Sequence, residues 1–296
     1  MIWPFLVREM MRINIVGLGL IGGSLAKAIK HYTNNTVIGV DQNPAVTKAA
    51  LACGAVDEIA DFCPNADLYF LCMSPEVVCS YLKANIKRFR PGAVISDVCG
   101  IKQLVESVAQ PLCNQNGLCY IGGHPMAGRE VSSFFNSDYN LFENRSYLLV
   151  VHPNTNPEKL NALCGLIREL GVSGIKFTTP QEHDEMIAFT SQLPHIIAGA
   201  YMLSKNSTKH EGFSAGSFHD VSRVATVDEN LWTQLFLQNK TFLLPELNGL
   251  IEHLKAYQTA IEQNNAPALK ALIKEGRERK EQDQKTNGAE LPHKFG

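Results

Sequence analysis

Two groups of residues in this chain have types and spacings that can do chemistry. Gly17, Gly19 and Gly22 stand in the order G-x-G-x-x-G, and Asp41 follows 19 residues after the last of them. Glycine at the first position permits a tight turn, at the second the approach of an anion to the backbone, and at the third close packing of helix on strand. The N–H groups that open the following helix, those of Leu20 and Ile21 among them, then hold a diphosphate at the positive end of the helix dipole. A carboxylate at Asp41 accepts hydrogen bonds from ribose hydroxyls and repels a 2′-phosphate, and neither Gln42 nor Asn43 offsets it. The cofactor expected from this pattern is NAD, not NADP. The second group surrounds His124 in Ile121-Gly122-Gly123-His124-Pro125-Met126-Ala127-Gly128-Arg129-Glu130. An imidazole between glycines and a proline, just past a strand, is placed to meet a nicotinamide, the bland alternative being a structural hydrogen bond in a turn.

These groups need a frame, and the chain alternates short aliphatic runs with helical periods from Arg12 to about Pro180. Ile13 to Val16, Thr36 to Asp41, Leu68 to Met73 and Ala93 to Val98 read as strands, and Cys119 to Ile121, Tyr147 to Val151 and a run near Ile175 to Phe177 as later ones. Asn43 with Pro44, and Ser74 with Pro75, read as helix caps followed by a first-turn proline. Ser74 also lies past a strand, where its hydroxyl can touch the cofactor ribose. Strand–helix alternation with crossovers of this length predicts an α/β fold, a doubly wound Rossmann-type, mostly parallel sheet over residues 1–180. Residues 181–296 are expected to form an all-helical domain for substrate binding and dimerisation. In it Leu243, Leu247, Leu250, Leu254, Tyr257 and Ile261 form a stripe that is covered either within its own domain or by a second copy. Glu275 to Lys285 reads as a solvated, mixed-charge helix end.

Composition excludes other classes. Apolar residues make up 45% and charged residues 19%, with a formal net charge of −2, so no broad positive field collects nucleic acid or an anionic membrane. The apolar runs are too short to span a bilayer. Met1 to Val7 lacks a basic segment and makes a poor signal peptide, and the first ten residues read as a ragged extension. Eight scattered cysteines without a C-x-x-C pair, and histidines without H-E-x-x-H, predict buried thiols in a reducing cytoplasm and no metal site.

Beyond this, the chain from Ile13 to about Gln263 resembles the prephenate/arogenate dehydrogenase family of tyrosine biosynthesis. G-G-H-P-M-A-G around His124 is the most specific piece. Asp97-Val98-Cys99-Gly100-Ile101-Lys102 is similar to the family's D-x-G-S-V-K, Ser191-Gln192-Leu193-Pro194-His195 to S-H-L-P-H, and Phe218-His219-Asp220-Val221-Ser222-Arg223-Val224-Ala225 to F-R-D-x-T-R-I-A. Trp232 stands nine residues after Arg223, as in the family pattern. The resemblance implies oxidative decarboxylation of prephenate to 4-hydroxyphenylpyruvate, with hydride passing to NAD⁺. It implies that His124 draws off the proton of the ring hydroxyl and that Arg223 binds a substrate carboxylate, the bland alternative for Arg223 being a surface pair with Asp220. His195 and Glu130 match positions that line or order the pocket. A homodimer through the helical domain is expected, with no separate regulatory domain after it.

Three positions depart from the pattern. Gly100 replaces the serine that hydrogen-bonds the histidine, so water or another side chain must orient His124. Gln192 replaces the first histidine of S-H-L-P-H, and His219 the first arginine of F-R-D-x-T-R, which affects carboxylate recognition. Three alternatives stay open: an arogenate dehydrogenase giving tyrosine directly, a non-catalytic NAD(H)-binding module, and a β-hydroxyacid dehydrogenase. The last calls for a lysine in the helical domain, and the segment from Phe189 to Lys209 offers only Lys205 and Lys209.

Overall fold

The computed structural model describes residues 10–287; the reading of Met1 to Val7 lies outside them. The chain opens with β1 (Arg12–Val16), α1 (Leu20–Tyr32), β2 (Thr36–Val40), α2 (Pro44–Ala52), β3 (Glu58–Ile59), β4 (Leu68–Leu71), α3 (Pro75–Asn85), β5 (Val94–Asp97), α4 (Gln103–Gln115) and β6 (Cys119–Tyr120). All adjacent strands of this first sheet are parallel, in the order β3-β2-β1-β4-β5-β6. Residues along β4 and β5 are buried throughout and alternate between two cores. Phe70 and Val94 join Ile13, Leu25 and Ile29 on one face. Tyr69, Leu71 and Ile95 join Val78, Leu82 and Val105 on the other. Helices on both faces explain why these strands are continuously apolar.

The winding reverses between β1 and β4, and a doubly wound sheet opens its ligand crevice at such a reversal, past the carboxyl ends of the strands. Gly17 follows β1 there with φ +91°, and a Cβ on it would lie 2.5 Å from the Cys72 carbonyl oxygen. Only glycine takes this backbone without strain and admits that contact.

The later strands do not extend the first sheet. β7 (Gly122–Pro125), β8 (Ser146–Val150) and β9 (Gly174–Thr178) form a separate three-stranded sheet, β7 antiparallel to β8 and β8 parallel to β9. Ile121 alone separates β6 from β7, so one extended segment passes from the first sheet into the second. His124 therefore lies inside a strand rather than in a turn after one. Periodicity cannot report this, because a chain that changes sheets keeps its extended backbone. The crossing is tight: a Cβ on Gly123 would stand 2.7 Å from the Asp97 carbonyl oxygen.

After α5 (Pro157–Glu169) and β9 the chain is helical: α6 (Pro180–Ile187), a π turn (Ala188–Gln192), α7 (Leu193–Met202), α8 (Gly216–Ser222) and α9 (Glu229–Gln238). Pro194 has no N–H to close an α turn, and the widened π turn immediately before α7 accommodates it. These elements belong to a compact unit ending at Phe242, and a second unit begins at Leu243. Most of α10 (Lys240–Glu262) and all of α11 (Ala266–Asn287) fall in the second, whose charged end carries i,i+4 pairs such as Arg277–Glu281 and Arg279–Glu275. Leu254 and Ile261 are exposed on α10, and Ile273 on α11. No described helix is long and apolar enough to cross a membrane.

The close passage of β7 over β5 makes Gly123→Ala an overpacking change against backbone. It is expected to cost about 1–3 kcal/mol in urea unfolding; a midpoint equal to that of the parent would show that the two strands are not so closely apposed.

Candidate active site

The dinucleotide half of the site is built from the turn between β1 and α1. Gly19 is the N-cap of α1 with no side-chain cap, the first turn carries no acidic residue, and a Cβ on Gly19 would meet nothing within 4 Å. The opening N–H groups of α1, from Leu20 and Ile21 onward, thus face open space without an internal anion, which suits a diphosphate. A Cβ on Gly22 would stand 1.9 Å from the Gly17 carbonyl oxygen, so glycine there lets the helix sit directly on the turn. Asp41, at the end of β2, accepts from the Leu18 N–H through Oδ2 and the Asn43 N–H through Oδ1, both at 2.8 Å. Its carboxylate is thereby fixed against the glycine turn. Ser74 occupies the N-cap of α3 but makes no capping side-chain hydrogen bond, which leaves its half-buried hydroxyl at the crevice.

His124 stands over the ends of β4 and β5. The Cys99 thiol lies 3.5 Å from the Met73 carbonyl oxygen, tying those ends together, and a Cβ on Gly100 would lie 4.0 Å from His124 Cε1. The His124 ring is half-buried, and its Nδ1 is 2.9 Å from Nε2 of His183. His183 Nδ1 in turn is 2.7 Å from Asp184 Oδ1. Burial holds both imidazoles below the ordinary histidine pKa; His183 itself and the Lys102 charge add to the effect on His124, whereas Asp184 opposes it at His183. Lys102 is fully buried in an ion pair with Asp97, which also accepts from the Tyr120 hydroxyl.

A second cluster holds the other expected residues. Arg223 pairs with Glu130, not with Asp220, and the guanidinium remains largely exposed. His195 lies close enough to feel both charges. Its Nδ1 donates to the Val224 carbonyl oxygen at 2.7 Å, its ring packs on Trp232 with centroids 3.7 Å apart, and burial lowers its pKa. The two clusters meet on α9, where Trp232 covers His195 and Leu235, three residues on, reaches within 3.8 Å of a Cβ built on Gly100. Three residues are just under one helical turn, about 4.5 Å of rise. Gln192 is not at a ligand's disposal: it is buried, donating to the Leu235 carbonyl and accepting from Asn239. His219 is exposed, with its ring against Phe218.

His183 and Asp184 were not singled out from the sequence. The available signal was Thr179-Pro180-Gln181-Glu182, whose Thr179 hydroxyl caps the Glu182 N–H and so puts His183 and Asp184 at a helix start. That both are buried, with His183 against His124 and Asp184 against His183, depends on tertiary packing. No cluster of three or more metal-ligating side chains occurs among the described residues.

Fold and crevice together define the class, a Rossmann-type oxidoreductase whose dinucleotide site is faced by helices. Comparison with known proteins narrows it. Residues 25–176 match the family model described as prephenate dehydrogenase, nucleotide-binding domain, and residues 179–275 the one described as prephenate dehydrogenase, dimerization domain. A prephenate dehydrogenase of Lactococcus lactis is 30% identical over 279 residues, covering 90% of this chain and 76% of that protein. The crystal structure of Synechocystis arogenate dehydrogenase is 29% identical, with TM-score 0.75, over 92% of this chain and 99% of that one. The A. aeolicus prephenate dehydrogenase, crystallised with hydroxyphenyl propionate and NAD⁺, shares the fold at TM-score 0.82 and 24% identity, over 93% of this chain and 99% of that one. The chain belongs to the prephenate dehydrogenase family.

The fixed carboxylate of Asp41 generates a cofactor test. Two unit charges about 6 Å apart at an effective dielectric constant of about 20 repel by roughly 3 kcal/mol. Asp41→Asn is therefore expected to raise NADP⁺ use relative to NAD⁺ by about 10- to 100-fold. An unchanged ratio of kcat/KM for the two nucleotides would remove Asp41 from cofactor selection.

Proposed function

We propose that this chain catalyses the NAD-dependent oxidative decarboxylation of prephenate to 4-hydroxyphenylpyruvate, the dehydrogenase step of tyrosine biosynthesis. The observation that carries the reading is the half-buried imidazole of His124, kept neutral by burial and set beside Gly100 past the end of β5, with α9 carrying both Leu235 next to that glycine and Trp232 against His195 of the Arg223–Glu130 cluster. Bound NAD⁺ supplies the hydride acceptor. His124 accepts the proton of the ring hydroxyl at Nε2 as that carbon is oxidised. Arg223 anchors a carboxylate through the fork nitrogens that Glu130 does not occupy, and so fixes the ring between imidazole and nicotinamide. Loss of the ring carboxylate as CO₂ returns its bonding pair to the ring, and aromatisation drives the step. His195, whose Nδ1 is committed to Val224, presents Nε2 to the pocket, and Trp232 walls it. Ser74 meets the cofactor ribose.

Arogenate is the second reading. Glu130 beside Arg223, together with a largely neutral His195, places two acceptors where an ammonium would be welcome. The enzyme acts as a homodimer through residues 181–296, a reading supported by the exposed apolar side chains of α10 and α11 and by the family's dimerization domain. Its place is the cytoplasm, in keeping with eight free cysteines.

The decisive assay follows NADH formation from NAD⁺ with prephenate and, separately, arogenate. His124→Asn is expected to lower kcat by about 10²–10⁴-fold, the usual worth of a general base. Near-normal turnover in that variant would exclude His124 from the mechanism. A base with a depressed pKa stays unprotonated as pH falls, so the acid limb of kcat/KM should lie below the ordinary imidazole value of about 6.5. An acid limb above it would mean that His124 is stabilised as the cation.

A further inference from the structure

A general base needs more than neutrality; its lone pair must sit on the nitrogen that faces the substrate. At Gly100, where the related motif has a serine, this chain has no hydroxyl to set that choice. The geometry points to His183 and Asp184 as the positioning residues for His124. Asp184 orients His183, and His183 keeps the His124 proton on Nδ1 and its lone pair on Nε2. The inference rests on the dehydrogenase reading above and supplies the part that reading lacks.

The assignment follows from donors and acceptors. Asp184 Oδ1 only accepts, so His183 Nδ1, 2.7 Å away, carries a proton. His183 is buried, and a neutral ring protonated at Nδ1 has its lone pair at Nε2. The 2.9 Å contact must then be donated by His124 Nδ1, which leaves Nε2 of His124 as the free acceptor. Asp184 is itself held from several sides. Its two oxygens accept the Lys102 and Gln103 N–H groups at 2.7 and 2.9 Å, and its carbonyl accepts from Asn239 at 2.9 Å. Asn239 also donates to Gln192 at 2.8 Å, so the buried amides bind α6, α7 and α9 behind the pair. No proton travels along this chain: when Nε2 takes the substrate proton, Nδ1–H stays on His124, and the hydrogen bond to His183 supports the new cation.

A purely structural role, tying α6 to α4, predicts different behaviour, and His183→Phe separates the two. Asp184 keeps its backbone donors in that variant, and NAD⁺ binding and the melting temperature serve as folding controls. Loss of the partner that orients a metal-bound histidine typically costs about 10–100-fold, and the support lost here is of the same hydrogen-bonding type. We expect kcat to fall by about that factor with KM for prephenate within about threefold. Nitrogen-15 NMR of histidine-labelled protein, with His124 assigned through His124→Asn, should show Nδ1 protonated in the parent and a mixture of tautomers in His183→Phe. A Cβ at Gly100 meets only Leu235 at 3.8 Å and His124 at 4.0 Å, so Gly100→Ser fits. Added to His183→Phe, it should recover several-fold of the lost kcat, which a scaffold defect would not allow.

Parental kcat in His183→Phe, or a parental spectrum with the His124 proton on Nε2, overturns the assignment. So does a kcat loss matched by lost NAD⁺ affinity and unrelieved by Gly100→Ser. A parent protein inert toward both prephenate and arogenate, yet showing the Nδ1–H tautomer, would instead sink the proposed reaction while supporting the hydrogen-bond chain.

Discussion

The hydrogen bond between His124 and His183 is the interaction on which the site depends. An imidazole half-buried at the end of a sheet is neutral because charging it there costs solvation, but neutrality alone leaves its proton free to occupy either nitrogen. A fixed acceptor on one side resolves the choice. Much of the surrounding architecture serves that fixing. β7 leaves the first sheet to carry His124 across β5, Gly123 admits the crossing, and the π turn before Pro194 joins α6 to α7 behind the ring. Buried polar groups at Lys102, Asp97, Gln192 and Asn239 are all paired, as burial requires.

Much of the fold was legible in the sequence because its signals are local. Continuous apolar runs announced strands covered on both faces, and Asn43-Pro44 and Ser74-Pro75 announced helix starts. The glycine pattern announced the tight turn from β1 into α1, since each glycine there answers to one local steric demand. The departure of β7, β8 and β9 into their own sheet was not legible, because sheet membership is decided by which edges pair, not by period. The substrate half was legible only through resemblance. Arg223, His195 and Glu130 are scattered over about ninety residues and gather near Trp232 of α9, whereas His124 lies in β7 against His183.

The departures from the family pattern become physically intelligible in the structure. Gln192 could have been read as a weakened carboxylate ligand; it is instead a buried tie between helices. Gly100 has an ordinary backbone and space beside it, so no steric demand accounts for glycine there. Orientation of the imidazole then falls to the group at its Nδ1, in a helix whose sequence carries no catalytic motif.

The account comes down to where one ring nitrogen sits relative to one hydroxyl. A crystal structure of the protein with NADH and 4-hydroxyphenylpyruvate would measure it directly. The expected result is His124 Nε2 within about 2.6–3.2 Å of the phenol oxygen, with the side-chain carboxylate on Arg223. A phenol turned away from His124, with the product held at another part of the crevice, would contradict the account.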